Sequence, residues 1–581
     1  MTARRRLGLG ALLAFAALAL AACTTIPSSG PVNEGNGAVS SSEPVVPFAD
    51  GPREDDSPEN IVNGFIAASS AGFAGDFTVA REFLTPQAAA SWDPTAKVTV
   101  YDSGALNGTF DSTTSTVTYE IPVRATLDDG GRLTEAAGGT RTTLTFGMEK
   151  NADGQWRISE LEDGSILPRA FFGRLFTPVS LVFASVDETT EVPEQRWLPM
   201  PQNKAATLAA SQLIQGPSDA LAPAVHTGFP ASSALAVNSV VVTDGVAAVE
   251  LTPGSAGTSA ERSLANEQMT LTLTSIPGIR AVTVTVGGVP IGGDGSADLK
   301  QPPVPSSDAT AFVNGRLGIW DGDDVWQTKD AVGALPAGST GVAQSFDART
   351  AAWIVNGSSL VASTALERGT GGLVKFDPDR VAPGETMTTD TLYTGTNLVA
   401  PSADRHGWFW TTERGGGDAF VAVAEDHTVT KVLVDWLRGT TVQALSVSGD
   451  GARIAVLSTT AGKQSLDVAS IVRGEDGAPL TIGQPVTFGA DLGPSIDLTW
   501  VDDLKVAVLG AGGGEVPNDL WLVDVGGLTT PLKAVTGAVD LAAREQERSL
   551  LVVDSQSQVY ARSGTVWSPV TSGPSELAYA G

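Results

Sequence analysis

The chain has 581 residues, 42% of them hydrophobic and 17% charged, so it is too apolar to be disordered and too long for one domain. Its 36 Lys+Arg against 65 Asp+Glu leave a net charge of −29, which argues against nucleic acid as a partner. A single Cys excludes intramolecular disulfides, cysteine-cluster zinc sites and cysteine-ligated iron–sulfur clusters, and three His (His226, His406 and His427) leave little for a histidine metal site. No metal and no cofactor are expected.

In chain order, Arg4-Arg5-Arg6 open a positive segment, Leu7 to Leu20 are almost wholly apolar, and Ala21-Ala22 lead to Cys23. This is the plan of a secretory signal, with an apolar stretch shorter than the ~20 residues that span a bilayer. Leu20-Ala21-Ala22-Cys23 also resembles the bacterial lipobox, in which the thiol takes a diacylglyceryl group, cleavage follows before the Cys, and the freed amine is acylated, commonly with palmitate. The alternatives are a plain signal peptide with an incidental cysteine, or an uncleaved anchor. Residues 1–22 are thus expected as a signal peptide, with Cys23 as lipid-attachment site on the extracytoplasmic side of the cell membrane. Two or three acyl chains anchor stably where one is marginal. Cleavage removes three arginines, leaving 33 Lys+Arg against 65 Asp+Glu, a net charge of −32. Residues 23–56, rich in Ser, Pro, Gly and Asn, read as a flexible tether.

Residues 57–188 form the first expected domain. Ser57-Pro58-Glu59 is a helix start, and Ile61, Val62, Phe65 and Ile66 fall on one face. A second helix is expected from about Asp76, burying Val79, Phe83 and Leu84 and ended by Pro86. Strands follow at Val98–Tyr101, Thr116–Leu127, Thr142–Lys150 and Gln155–Glu162. Helices before a curved antiparallel sheet suggest an α+β cone of the nuclear-transport-factor-two type, with a filled apolar core favoured over a cavity.

Val192–Pro199 reads as a short connector into residues 192–300. There Lys204–Leu213 is a helix stopped by Gly216-Pro217, and Val237–Val242 and Val246–Leu251 flank the hairpin signal Asp244-Gly245. A helix from about Ser259 to Ser275 and the strands Ala281–Val286 and Val289–Ile291 complete a small α+β sandwich. Gln301–Pro305 is a stiff break. Residues 306–581 are β-like and hold 9 of the 12 Trp, with strand pairs recurring every ~40–55 residues. They include Phe346–Val361, His406–Val423, Val447–Ser458, Leu498–Leu509 with Leu520–Val525, and Leu541–Tyr560. Ser448-Gly449-Asp450-Gly451-Ala452-Arg453-Ile454-Ala455 resembles the S-x-D-G-x-x-[IL]-A turn of TolB-like blades. The whole reads as an all-β propeller, six blades being the count the spacing suggests.

The order of these features resembles the LpqB family of actinobacterial lipoproteins over essentially the whole length. The resemblance rests on the lipobox, S-P-E-x-I-V-x-G-F (Ser57 to Phe65), A-R-x-[FY]-L-T-P (Ala80 to Pro86) and V-P-E-x-R-W-x-P (Val192 to Pro199). A GerMN-like module is carried by Leu213–Pro217, the Asp244-Gly245 hairpin ending in Val249-Glu250-Leu251, and Gln268 to Leu273; the propeller follows. The resemblance implies a protein that binds the extracytoplasmic part of an MtrB-type sensor kinase and modulates an MtrAB-type two-component system controlling cell-envelope and division genes. It implies no catalytic residues, and only Cys23 carries over as a site.

Chemical motifs are scarce. Ala461-Gly462-Lys463-Gln464 lacks the Ser/Thr and upstream Gly of a phosphate loop, and Gly510–Glu515 lacks the spacing of a dinucleotide loop. Asp321-Gly322-Asp323-Asp324 lacks the EF-hand pattern and reads as a turn. His406 near Trp408 and Trp410 suggests a sugar platform or, preferably, blade packing. His427 after Asp426 reads as a turn residue rather than half of an acid–base pair. The expected protein is a non-enzymatic regulatory lipoprotein. The rival readings are an envelope glycan- or lipid-binding lipoprotein and an extracytoplasmic hydrolase.

Overall fold

The computed structural model of the protein describes residues 49–580 apart from 74, 103–105, 201, 256, 293–296, 322–326, 329–333, 357–369, 377–386, 388, 416 and 513–516. Among these residues the chain is mostly β, with few helices.

Helix α1 (Pro58–Gly72) starts as its sequence dictates. Pro58 presets φ in the first turn, and the Ser57 hydroxyl accepts the Asn60 N–H at 3.3 Å. Ile61, Val62, Phe65 and Ile66 are all buried. The helix expected from Asp76 to Pro86 is instead two short ones, α2 (Thr78–Arg81) and α3 (Pro86–Ser91). Pro86 opens a helix rather than ending one, because its missing N–H is harmless in a first turn and Thr85 caps Ala88 at 3.3 Å. Phe83 and Leu84 are buried, whereas Val79 is half-buried.

Seven strands follow: β1 (Lys97–Tyr101), β2 (Thr109–Asp111), β3 (Thr116–Asp128), β4 (Leu133–Glu135), β5 (Arg141–Lys150), β6 (Trp156–Glu160) and β7 (Ser165–Pro168). They form one sheet of order β6-β5-β3-β1-β7, with β2 and β4 also on β3. Only β1 with β7 is parallel. Register slips at Val100/Tyr101 and Gly147/Met148 bend the strands around α1. The space between is packed with rings: Phe65 lies 5.0 Å from Trp92 and 6.1 Å from Phe146, centroid to centroid.

Helix α4 (Arg169–Leu175) leads to β8 (Phe176–Ser185), which pairs with β9 (Glu191–Pro199) from Phe176 opposite Pro199 to Ala184 opposite Glu191. Val192–Pro199, expected as a connector, is therefore a strand, joined to β8 by a hairpin turn over residues 186–190. Its prolines are tolerated because β9 is the edge of a sheet of order β10-β8-β9, where β10 is Val225–His226. Helix α5 is Gln202–Gln215, and α6 is Ser259–Thr274, closed by a reciprocal Thr258–Glu261 capping box. Both helices lie between that sheet and a second, made of β11 (Val241–Thr243), β12 (Val246–Leu251), β13 (Ala281–Val286) and β14 (Val289–Pro290). Strand β11 is shorter than expected from 237–242, since the Val240 N–H is taken by the Thr207 hydroxyl of α5 at 2.9 Å.

Among the described residues, six sheets of four strands, one with a fifth, make the propeller. Its inner strands are Ser339–Gln344, Ser402–Ala403, Thr441–Val447, Ser495–Asp502, Ala538–Ala542 and Pro574–Ala578, neighbours around a closed ring. Pro574–Ala578 comes from the far end of the chain and pairs antiparallel with Ala309–Val313, so the first blade is sealed by the last strand.

Candidate functional site

The turn motif of the fourth blade is built as its residue types require. Gly451 takes the left-handed φ of +73°, and the Asp450 carboxylate accepts the Ala452 N–H at 2.9 Å. Arg453 pairs with Asp450 at 2.6 Å, with both side chains buried. The Arg453 guanidinium then reaches out of the blade and donates to the Pro193 carbonyl of β9. Two motifs legible in the sequence, Ser448–Ala455 and Val192–Pro199, thus meet at one junction.

On β9, Glu194 and Arg196 form a buried pair at 2.8 Å, and Arg196 is 2% exposed. Burial alone would raise the Glu194 carboxyl; the Arg196 charge and the Ser218 N–H outweigh it and hold the pKa below its ordinary value. Trp197 lies 4.9 Å from the Phe172 ring of α4 and donates its indole N–H to the Gly526 carbonyl of the propeller at 2.9 Å. Its backbone N–H bonds the Gly131 carbonyl of the N-terminal unit at 2.8 Å. One strand therefore ties three units together. Outlying bonds reinforce it: Arg405 to Asp187 at 3.3 Å, Arg124 to Asp491, and the Thr529 N–H to Glu135 at 3.1 Å. Asp187 is pulled down to about 2: burial opposes this, and the Ser185 hydrogen bond and the Arg405 charge overcome it.

The central ring carries a second pattern that the sequence reading missed. The Asp497 carboxyl accepts the Leu541 N–H of the next inner strand at 3.0 Å, Asp540 accepts the Leu577 N–H at 2.8 Å, and Glu576 accepts the Gly341 N–H. Each acid follows a register slip in its inner strand. The signal was present as Ile496-Asp497-Leu498-Thr499, Val539-Asp540-Leu541-Ala542 and Ser575-Glu576-Leu577-Ala578, an x-[DE]-L-[TA] repeat. Burial, chiefly, drives Asp497 up to about 7 and Asp540 well above its ordinary range.

The remaining candidates separate. Trp410 is fully buried and donates to Asp404 at 2.7 Å, which Arg473 also meets at 2.7 Å. That ring packs a blade and offers no sugar a face. His406 is held down to about 4 by burial and then by Arg473 and Arg405. His427 sits at a left-handed turn with φ +71° and pairs with Asp390 at 3.0 Å rather than with Asp426. Ala461-Gly462 is a hairpin turn, and Lys463 opens the strand that follows. Leu20, Ala21, Ala22 and Cys23 lie outside the described residues, as do Asp323, Asp324 and half of the Gly510–Glu515 run. Among the described residues no group of three His, Cys, Asp or Glu is placed to hold a metal, and no helix is long and apolar enough to cross a membrane.

Three families match in succession: "Lipoprotein LpqB, N-terminal domain" at residues 51–173, "Sporulation and spore germination" at 180–292, and "Lipoprotein LpqB beta-propeller domain" at 315–578. The chain is 27% identical to Lipoprotein LpqB of Cutibacterium acnes over 98% of each chain, and 27% identical to Lipoprotein LpqB of Thermobifida fusca over 90% of each. Among solved structures, the tandem GerMN domains of the sporulation protein GerM from Bacillus subtilis match at 16% identity and a TM-score of 0.18, over 25% of this chain and 58% of that one.

Proposed function

Because the chain belongs to the LpqB lipoprotein family, we propose that it is a lipid-anchored extracytoplasmic protein that binds an MtrB-type sensor-kinase ectodomain and modulates its signalling. In this reading Cys23 carries the lipids, residues 23–56 are the tether, and the protein is not an enzyme. The N-terminal unit is read as a cone of the nuclear-transport-factor-two type, on the strength of its helices held against a bent antiparallel sheet.

The observation that carries the proposal is the bare outer face of the β11-β12-β13-β14 sheet. Helices cover its other side, leaving Val241 59% and Val246 41% exposed, with Ala248, Ala281 and Thr283 beside them. Its acid, Glu250, is occupied by the Thr285 hydroxyl and the Gly288 N–H. An apolar, nearly uncharged sheet face is suited to protein contact. Anchoring in the same membrane as the kinase raises effective concentration, and an effect on signalling requires unequal affinity for the kinase's states. Retention of the full-length kinase by the lipid-anchored chain in membranes tests the proposal. Retention with altered kinase phosphorylation is expected; a kinase that never co-purifies counts against it.

A further inference from the structure

Beside the junction, between β9, the loop after α5, the outer strands of the fourth blade and two turns of the fifth, lies a cavity of about 190 Å³. Its apolar wall includes Leu221, Val468, Phe488, Leu504 and Val525, and its charged lining is Arg132, Arg196 and Arg453 against Glu194 alone. That sign is unusual in a protein of net charge −29. Two deeply buried polar atoms in the lining have no hydrogen-bond partner, Arg196 Nε and Ser470 Oγ, in residues only 2% and 3% exposed. Arg196 spends Nη2 on Glu194 and Nη1 on its neighbour's carbonyl, so the third side of its fork is unused. A buried donor left unpaired beside a cavity calls for an acceptor.

An empty apolar cavity of roughly 150 Å³ accepts benzene, so this one has room for a ring or short acyl body plus a small headgroup. We propose that the cavity binds a small organic oxyanion with an apolar body, its headgroup accepting from Arg196 and Ser470 and its body lying on Phe488, Val468 and Leu221. The site is independent of kinase contact, since it shares no residue with the bare sheet face. A ligand here would touch both β9 and the propeller and so strengthen the junction.

Isothermal titration of the full chain in detergent, with phenylacetate, phenyl phosphate and benzyl alcohol as probes, tests the proposal. Saturable one-to-one binding of one anion is expected, about tenfold or more tighter than benzyl alcohol, because a charge-assisted bond to a guanidinium is lost in the neutral probe. The two anion arms tell a carboxylate from a phosphate monoester. Val486→Trp, on the exposed rim, is expected to plug the mouth and abolish binding with an unchanged unfolding midpoint. Ser470→Ala is expected to weaken binding severalfold. Equal affinity for benzyl alcohol, wild-type binding in both variants, or no saturable heat from either anion at millimolar concentration would overturn the assignment.

Discussion

Arg453 holds Asp450 at 2.6 Å inside its own blade and donates to the Pro193 carbonyl in a different unit. The same guanidinium thereby fixes a tight turn and fastens the propeller to β9.

Arg453→Met is expected to destabilise the propeller by about 3–5 kcal/mol, because it strands Asp450 as an unpaired buried charge. A urea midpoint followed by tryptophan fluorescence measures it. A loss below about 1 kcal/mol would show that water replaces the guanidinium.

Stability is expected to depend on pH in an unusual direction. Burial, and then the Asp450 charge, pushes Asp503 up to about 8, and burial pushes Asp497 to about 7. Both are protonated when folded and ionised when unfolded above roughly pH 4. Such groups stabilise fully below the ordinary carboxylate range, and the contribution is lost as pH rises through about 7 to 8. The unfolding midpoint should therefore fall between about pH 5 and 8. Asp503→Asn, which keeps an acceptor for the Asp450 N–H, should flatten that slope; an identical slope would refute the assignment.

Lysines in place of Val241 and Val246 are expected to weaken kinase retention about tenfold, as charge on an apolar contact face does, with little change in folding. Undiminished retention moves the contact to another face.

Cys23→Ala is expected to abolish lipid labelling and to accumulate unprocessed precursor, read by metabolic labelling and a mobility shift. Continued lipid incorporation would sink the anchor assignment.

What the sequence discloses follows the range of the forces involved. The cap at Ser57, the helix start near Ser259 and the turn at Ser448–Ala455 are settled within a few residues, and all were legible. Pro86 was misread because a helix stop and a helix start differ only in what precedes the proline, here Thr85. Val192–Pro199 looked like a connector because its two prolines speak against a strand, and only its edge position beside β8 excuses them. The Arg453–Pro193 bond joins residues 260 apart, so nothing local announced it. Buried carboxyls such as Asp503 and Asp540 looked like any of the 65 acids until their burial was known.

The strand that seals the ring also sets an order of events. Ala309–Val313 emerges from the ribosome long before its partner Pro574–Ala578, an interval on the order of tens of seconds at ordinary rates of synthesis. Throughout that interval the first blade has a bare inner edge, open to pairing with a neighbouring chain. A product cut short of Pro574 would keep that edge for good, so closure of the ring reports that this segment was made.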